Sequence, residues 1–128
     1  MLHQHKWIIT AAGLSGFLAV AFGAFGAHGL NDPQARDWIK TGASYQSAHA
    51  IAALIIIGFA NQGLRRTGLI ASLFLAGGAV FAATLYAMAL GAPHWLGAIT
   101  PLGGLTLLVA WALLVWQALT AVHAPPRR

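Results

Sequence analysis

The sequence predicts an all-α membrane protein, a bundle of four transmembrane helices in up-down-up-down order. Hydrophobic residues make up 59% of the chain and charged residues only 7%, whereas average globular chains carry about 25% charged residues. A soluble chain of 128 residues has too much surface for its volume to hide that many apolar side chains from water. The lipid bilayer is therefore the expected environment, and residues 1–128 are expected to form a single integral membrane domain.

Charged residues fall in short clusters that leave three long uncharged stretches, at residues 7–31, 41–64 and 67–126. A helix needs about 20 apolar residues to cross the hydrocarbon core, so the first two stretches hold one span each and the third holds two. Helix-breaking and interfacial side chains divide the third stretch at residues 91–95. The predicted spans are residues 8–29, 42–60, 67–90 and 98–119.

Loop charges predict the orientation of the four spans. The amino terminus, the loop at residues 61–66 and the carboxyl-terminal tail share one side, while the first opposite loop holds Arg36 and Lys40 beside two aspartates. The positive-inside rule therefore predicts that both termini are cytoplasmic. This explains the net charge of +5 without a nucleic-acid partner. The cations on the predicted inner side are Lys6, Arg65, Arg66, Arg127 and Arg128.

The connection between the first two spans is the longest predicted loop, and Asn31, Asp32 and Pro33 form a helix-start pattern within it. Trp38 stands there among charged neighbours, which predicts a short helix lying in the membrane interface. The chain then turns near Gly42 into the second span. The other loops are short, which favours antiparallel neighbouring helices.

Small residues predict which helix faces touch, because apolar side chains gain nothing by leaving lipid for one another and close backbone approach must supply the contact. We expect these faces to pack within the chain, and a homo-oligomer or a larger membrane complex is the alternative. Trp111, in the middle of the fourth span, is interpreted as a packing or lipid contact. The predicted packing residues are Ser15, Ala19, Gly23, Ala27, Ala79, Ala83, Ala87, Gly103 and Gly104.

Polar side chains within the spans are the candidates for a functional site, because a polar group in hydrocarbon is costly unless it is satisfied. One hypothesis is that they are structural, with His28 and His49 hydrogen-bonding across helices and fixing the packing register. The others are a pocket for a proton or small ligand and a histidine metal site. The histidine spacing follows no ligand motif, so no metal is assigned. The candidates, all toward the outer leaflet, are His28, Tyr45, Gln46, His49, Tyr86 and Thr100.

The sequence does not predict an enzyme. The spans contain no carboxylate, nucleophile motif or phosphate-binding loop, so neither a catalytic residue nor a cofactor is assigned. The absence of cysteine excludes disulfides and thiolate metal sites. Two interpretations are left. One is a small structural or accessory membrane protein that packs with a larger complex or with itself. The other is a small channel or carrier with an outer histidine-lined pocket, which needs a water path inward toward Gln117.

Several segments are similar, in order, to a known family. They are residues 23–30 (GAFGAHGL), residues 38–42 followed by Tyr45, Gln46 and His49, then Gly78 with Phe81 and Tyr86, and residues 100–104 (TPLGG) with Trp111. These segments resemble the YgdD and transmembrane protein 256 family, which carries domain of unknown function 423. The resemblance implies a bacterial inner-membrane protein and no established activity. The animal relatives of this family are mitochondrial. The matching polar positions are His28, Gln46, His49 and Tyr86.

Overall fold

The computed structural model describes residues 2–121, so Arg127 and Arg128 of the orientation argument lie outside the described residues. The all-helical prediction is confirmed. Two short 3-10 segments, Ala60–Gln62 and His94–Ala98, lie in the connections before the third and fourth helices. The four α-helices are α1 (Leu2–Gly29), α2 (Pro33–Gly58), α3 (Thr67–Ala89) and α4 (Thr100–Ala121).

Three helical segments are long and apolar enough to cross a membrane, namely His3–Gly29, Thr67–Ala89 and His94–Ala121. Within the described residues α2 is not among them. Its first half carries Arg36, Asp37 and Lys40, and its middle carries Gln46 and His49. α2 packs against both α1 and α3, so the most polar helix is covered by two apolar ones.

α2 begins where the sequence predicts a helix start. The Asp32 carboxylate accepts a hydrogen bond from a backbone amide of the first turn at 3.3 Å, and Pro33 loses no helical bond at this position. The prediction of a separate short helix before Gly42 is wrong, because α2 runs unbroken through this glycine. Gly42 instead brings α2 close to α3, since a Cβ atom there would lie 2.9 Å from the Tyr86 ring.

Glycines also set the closest approaches at the other helix pairs. A Cβ atom on Gly26 of α1 would lie 2.6 Å from the side chain of Ile39 in α2. A Cβ atom on Gly103 of α4 would lie 2.5 Å from the Phe81 backbone nitrogen and 2.8 Å from the Gly77 carbonyl oxygen in α3. Such distances leave no room for a side chain, and close backbone approach of this kind is how membrane helices gain packing contact.

The small-residue prediction needs correction on α3. Ala79 and Ala83 are exposed and Ala87 is half-buried, whereas Gly77, Gly78 and Ala82 are buried. α3 has small residues on more than one face, and only the buried face meets α2 and α4. In α1, Ala19 is buried, Ser15 and Gly23 are half-buried and Ala27 is exposed, and in α4 Gly103 is buried and Gly104 half-buried.

Buried apolar residues form two clusters along the bundle. The smaller cluster lies near the start of α2 and the end of α3, and consists of Ile39, Ala43, Ala82 and Tyr86. The larger cluster involves the second half of α2, the first half of α3 and α4, and consists of Ala53, Ile56, Ile57, Ile70, Ala71, Phe74, Leu107 and Ala110. On α2 the polar Gln46 and His49 stand between the two clusters.

Candidate functional site: a polar layer inside the bundle

Polar side chains from α2, α3 and α4 form three hydrogen-bonded pairs within the bundle. One pair joins α2 to α3, one joins α2 to α4 and one joins α3 to α4. We call this group the polar layer. Its members are Gln46, His49, Thr84, Tyr86, Thr100 and Trp111.

The first pair is Tyr86 with Gln46. The Tyr86 hydroxyl donates to Gln46 Oε1 at 2.8 Å, and both residues are buried, with exposed fractions of 6% and 5%. Phe22 of α1 stacks on the Tyr86 ring with centroids 4.0 Å apart and planes inclined by 9°. The pair therefore satisfies two buried polar groups and brings α1, α2 and α3 together at one level.

The second pair is Trp111 with His49, which is 8% exposed. Trp111 Nε1 donates to His49 Nε2 at 3.1 Å, and His49 Nδ1 lies 2.7 Å from the carbonyl oxygen of Tyr45. An indole N–H can only donate and a carbonyl oxygen can only accept. His49 is therefore the neutral imidazole with its proton on Nδ1, donating to the Tyr45 carbonyl and accepting from the indole.

Phe74 supports this second pair from α3. Its ring centroid lies 4.7 Å from that of Trp111 and 5.6 Å from that of His49, and its side chain is fully buried. Trp111 itself is 45% exposed, so the indole bonds inward through its N–H while its outer face is open. The imidazole thereby links α2 to α4, and the apolar side chain of Phe74 packs against both rings of the pair.

The third pair is Thr84 with Thr100, whose hydroxyl oxygens lie 2.7 Å apart. Thr84 Oγ1 is also 3.0 Å from the Phe81 carbonyl, and Thr100 Oγ1 is 3.4 Å from the Leu96 carbonyl. One hydroxyl can donate to the other while the second donates to a backbone carbonyl three or four positions earlier in the chain, as threonine commonly does in helices. This pair joins the end of α3 to the start of α4.

The structure brings together four of the six predicted site residues: Gln46, His49, Tyr86 and Thr100. Tyr45 is half-exposed and contacts the polar layer only through its backbone carbonyl and through stacking on His49. His28 is exposed in the last turn of α1. Of the two histidines expected to hydrogen-bond across helices, His49 does so with Trp111, whereas His28 lies outside the polar layer.

Two members, Trp111 and Thr84, were not in the predicted site. A signal for Trp111 exists in the sequence, because the other four tryptophans lie close to predicted span ends whereas Trp111 is in mid-span. An indole N–H within hydrocarbon needs an acceptor. Nothing in the sequence pairs Thr84 with Thr100, because their contact depends on how α3 packs against α4.

The chemistry of the polar layer is that of hydrogen bonds between helices. Every buried side-chain nitrogen and oxygen atom in the described part of the chain has a hydrogen-bond partner. Among residues 2–121, no group of three or more His, Asp or Glu side chains could hold a metal ion. The polar layer therefore fixes how the helices pack, and its described side chains do not form an unbonded acid, base or metal-ligand set.

Two grooves open on the sides of the bundle. The α1–α2 groove has a volume of about 710 Å³ and carries Arg36, Asp37 and Lys40 at one end. The α2–α4 groove has a volume of about 510 Å³ and is almost entirely apolar, with Phe74 and Trp111 among its lining residues. The α2–α4 groove thus borders the polar layer, while the α1–α2 groove lies on the other side of α2.

Known proteins similar to this chain are membrane proteins without a described activity. A family model described as "Protein of unknown function (DUF423)" matches residues 22–104. The UPF0382 membrane protein of Haemophilus influenzae is 40% identical over 111 residues, which cover 84% of this chain and 90% of that protein. The UPF0382 inner membrane protein YgdD of Escherichia coli K12 is 38% identical over 121 residues, covering 89% of this chain and 90% of that protein.

A more distant relative is the UPF0382 membrane protein YwdK of Bacillus subtilis, 35% identical over 120 residues, which cover 88% of this chain and 96% of that protein. No solved structure matches the chain. The matched region includes five of the six polar-layer residues, all except Trp111. The resemblance predicted from the sequence is confirmed, and the chain belongs to the DUF423 family of membrane proteins of unknown function.

Proposed function

We propose that the protein is a small structural or accessory component of the bacterial inner membrane, which packs through its apolar outer surface against a larger membrane complex or a second copy of itself. The observation that carries the proposal is a contrast. Within residues 2–121 the buried polar side-chain atoms are all hydrogen-bonded, whereas many large apolar side chains are exposed.

α1 provides the largest part of this unpartnered surface. Only 11% of its most apolar stretch is buried, compared with 44% for α3, and Phe17 and Val20 are 71% and 72% exposed. The alanine row of α3 at Ala79 and Ala83 is also exposed. Small residues on a lipid-facing helix allow close approach of another helix, so this row is a second candidate contact face.

The proposal includes four crossings of the membrane in up-down-up-down order, with α2 as a span shielded by its neighbours. Contacts near one end of the bundle support this order, since Gly26 near the end of α1 faces Ile39 near the start of α2. Thr84 near the end of α3 likewise bonds Thr100 at the start of α4. The positive-inside rule then favours cytoplasmic termini, because Lys6, Arg65 and Arg66 share one side.

The alternative, a small channel or carrier with an outer histidine-lined pocket, has less support. His49 is held on both ring nitrogens, and His28 is not part of the polar layer. A water path from the polar layer toward Gln117 must pass the larger apolar cluster, where Ala53 and Phe74 are fully buried. An ion would have to leave water for that apolar interior, which is costly without compensating ligands.

Site-specific cross-linking in the native membrane tests the proposal. The chain has no cysteine, so single cysteines can be placed on three outer faces by Phe17→Cys in α1, Ala83→Cys in α3 and Leu108→Cys in α4. Cross-linking followed by mass spectrometry identifies the face that meets a partner. We expect one face to form a product of defined stoichiometry with a membrane protein or a second copy.

The same cross-linking experiment can also contradict the proposal. If the protein extracted with its native lipids is monomeric, and none of the three cysteine variants forms a defined product, the accessory function is wrong. A matched control is Ala82→Cys, since this side chain is fully buried and is not expected to reach any partner.

A further inference from the structure

The α1–α2 groove has a charged end and a largely apolar length. Arg36, Asp37 and Lys40 line it near the connection between the helices, and two serines, Ser44 and Ser47, follow on α2. The opposite wall comes from α1 and consists of the small or apolar residues Ala19, Val20, Gly23, Gly26 and Ala27. The two serine hydroxyls donate to backbone carbonyls of α2. The groove therefore has the polarity of an amphiphile, with charge at one end and mostly small or apolar side chains along the rest.

The length of the groove matches one leaflet of a bilayer. Arg36 and Ser47 are eleven positions apart on one continuous helix, which corresponds to about 16 Å at the helical rise. The hydrocarbon core of a bilayer is about 30 Å thick, so one leaflet accounts for about half of it. A molecule with its charged group at Arg36 would reach the region of Ser47 near the bilayer midplane.

The rim of the groove is suited to an anionic group. Arg36 and Lys40 are four positions apart and line the same groove, and with Asp37 they leave a net charge of +1. Arg36 Nη2 donates to the Ala27 carbonyl oxygen at 3.1 Å, which holds the guanidinium over the end of α1. A guanidinium has five N–H donors, so further donors are free to bind a phosphate oxygen.

We propose that the α1–α2 groove binds one anionic phospholipid of the leaflet that contains the α1–α2 connection. The phosphate lies between Arg36 and Lys40, and an acyl chain follows the groove past Gly23 and Ala43. The small side chains on both walls make the groove wide enough for the acyl chain. The volume of about 710 Å³ is within the range of about 300–1,000 Å³ that is common for ligand sites.

A second copy of the protein is a poorer occupant of this groove. A two-fold dimer places the same patch of both copies face to face, which would bring the Arg36 and Lys40 side chains of both copies to the same depth. Like charges close together near an apolar medium repel strongly. An anionic lipid instead supplies the opposite charge.

The test measures lipid binding to the full-length protein by native mass spectrometry. The probes are phosphatidylglycerol and, for comparison, phosphatidylcholine, each titrated into protein purified in mild detergent. We expect one tightly bound phosphatidylglycerol, with phosphatidylcholine binding at least fivefold more weakly. Each lost cation is expected to weaken phosphatidylglycerol binding about fivefold, the size of one basic contact near a lipid surface.

The double variant Arg36→Gln, Lys40→Gln should therefore bind phosphatidylglycerol about 25-fold more weakly. Lys40→Gln alone should lose about fivefold, and it leaves the Arg36 bond to α1 intact if the double variant fails to fold. The matched control is Arg65→Gln, Arg66→Gln, which removes the same charge from the connection between α2 and α3 and should leave the tight site unchanged.

A second pair of variants tests the groove itself. Val20→Trp fills the groove from an exposed position without altering charge, and it should abolish the tight site. Val115→Trp on α4 is the control, since Val115 is also exposed and does not line the groove. Equal phosphatidylglycerol binding by Lys40→Gln and the unaltered protein, or retention of the lipid by Val20→Trp, would overturn the proposal.

Discussion

α1 and α2 are neighbours of similar length, 28 and 26 residues, but they have opposite roles. α1 is apolar enough to cross a membrane alone, and among its described side chains and glycines only Ala12, Ala19 and Gly26 are buried. α2 carries charged and polar residues, and ten of its residues are buried. The comparison shows that a helix can carry charged and polar residues where neighbouring helices cover it, as α1 and α3 cover α2.

Truncation of apolar side chains should give the largest difference in stability between changes in α1 and changes in α2. Ile39→Ala in α2 removes a fully buried side chain and should destabilise the protein by about 3 kcal/mol, since it leaves a cavity. Leu14→Ala in α1, which removes an exposed side chain, should change stability by less than about 0.5 kcal/mol. Reversible unfolding in mixed micelles measures both, and equal effects would contradict the assigned burial of the two helices.

Glycine substitutions sharpen the comparison within α1. Gly26→Ala places a Cβ atom 2.6 Å from Ile39 and should cost about 2 kcal/mol, because α1 must shift away from α2. A Cβ atom on Gly13 meets nothing within 4 Å, so Gly13→Ala should be neutral or stabilise by up to about 1 kcal/mol. The same unfolding experiment measures both variants. If Gly13→Ala destabilises the protein, Gly13 must contact a group outside the packing of a single chain.

Removal of the hydrogen bond between Gln46 of α2 and Tyr86 of α3 should have a smaller effect on stability. Tyr86→Phe keeps the stacking ring but leaves the Gln46 amide oxygen without its donor, which should cost about 1 kcal/mol. A double-mutant cycle with Gln46→Leu should give a coupling of about 0.6 kcal/mol, the average for membrane helices. Tyr45→Phe is the control, because Tyr45 is half-exposed, and a cycle with no coupling would remove this pair from the polar layer.

The smallest expected effect is at the bond between α2 and α4. Trp111→Phe removes the indole N–H that His49 accepts and should cost about 0.6 kcal/mol. Nitrogen-15 NMR of the imidazole gives a sharper test. The unaltered protein should have its ring proton on Nδ1, and in the variant the Nε2 resonance should shift because Nε2 loses its donor, while the Tyr45 carbonyl keeps the proton on Nδ1. If the ring proton of the unaltered protein is on Nε2, the bond from Trp111 is excluded.

Sequence reasoning was sufficient for the local features of the chain. A low content of charge predicted a membrane protein, uncharged stretches predicted the helices to within a few residues for α3 and α4, and Asp32 with Pro33 predicted the start of α2. The same reasoning failed for features that depend on contacts between helices. It ended a short helix at Gly42, although this glycine is a contact with α3. It expected the alanine row of α3 to pack within the chain, although Ala79 and Ala83 are exposed.

The sequence by itself determined the all-helical class, the helical stretches and the identity of most polar residues available for bonding, because these follow from composition and local spacing. Only the tertiary structure decided that His49 meets Trp111, 62 positions away, that Gln46 meets Tyr86, 40 positions away, and that His28 is outside the polar layer. The physical reason is that helical periodicity specifies which residues share a face, but the partner of that face depends on which backbones can approach most closely.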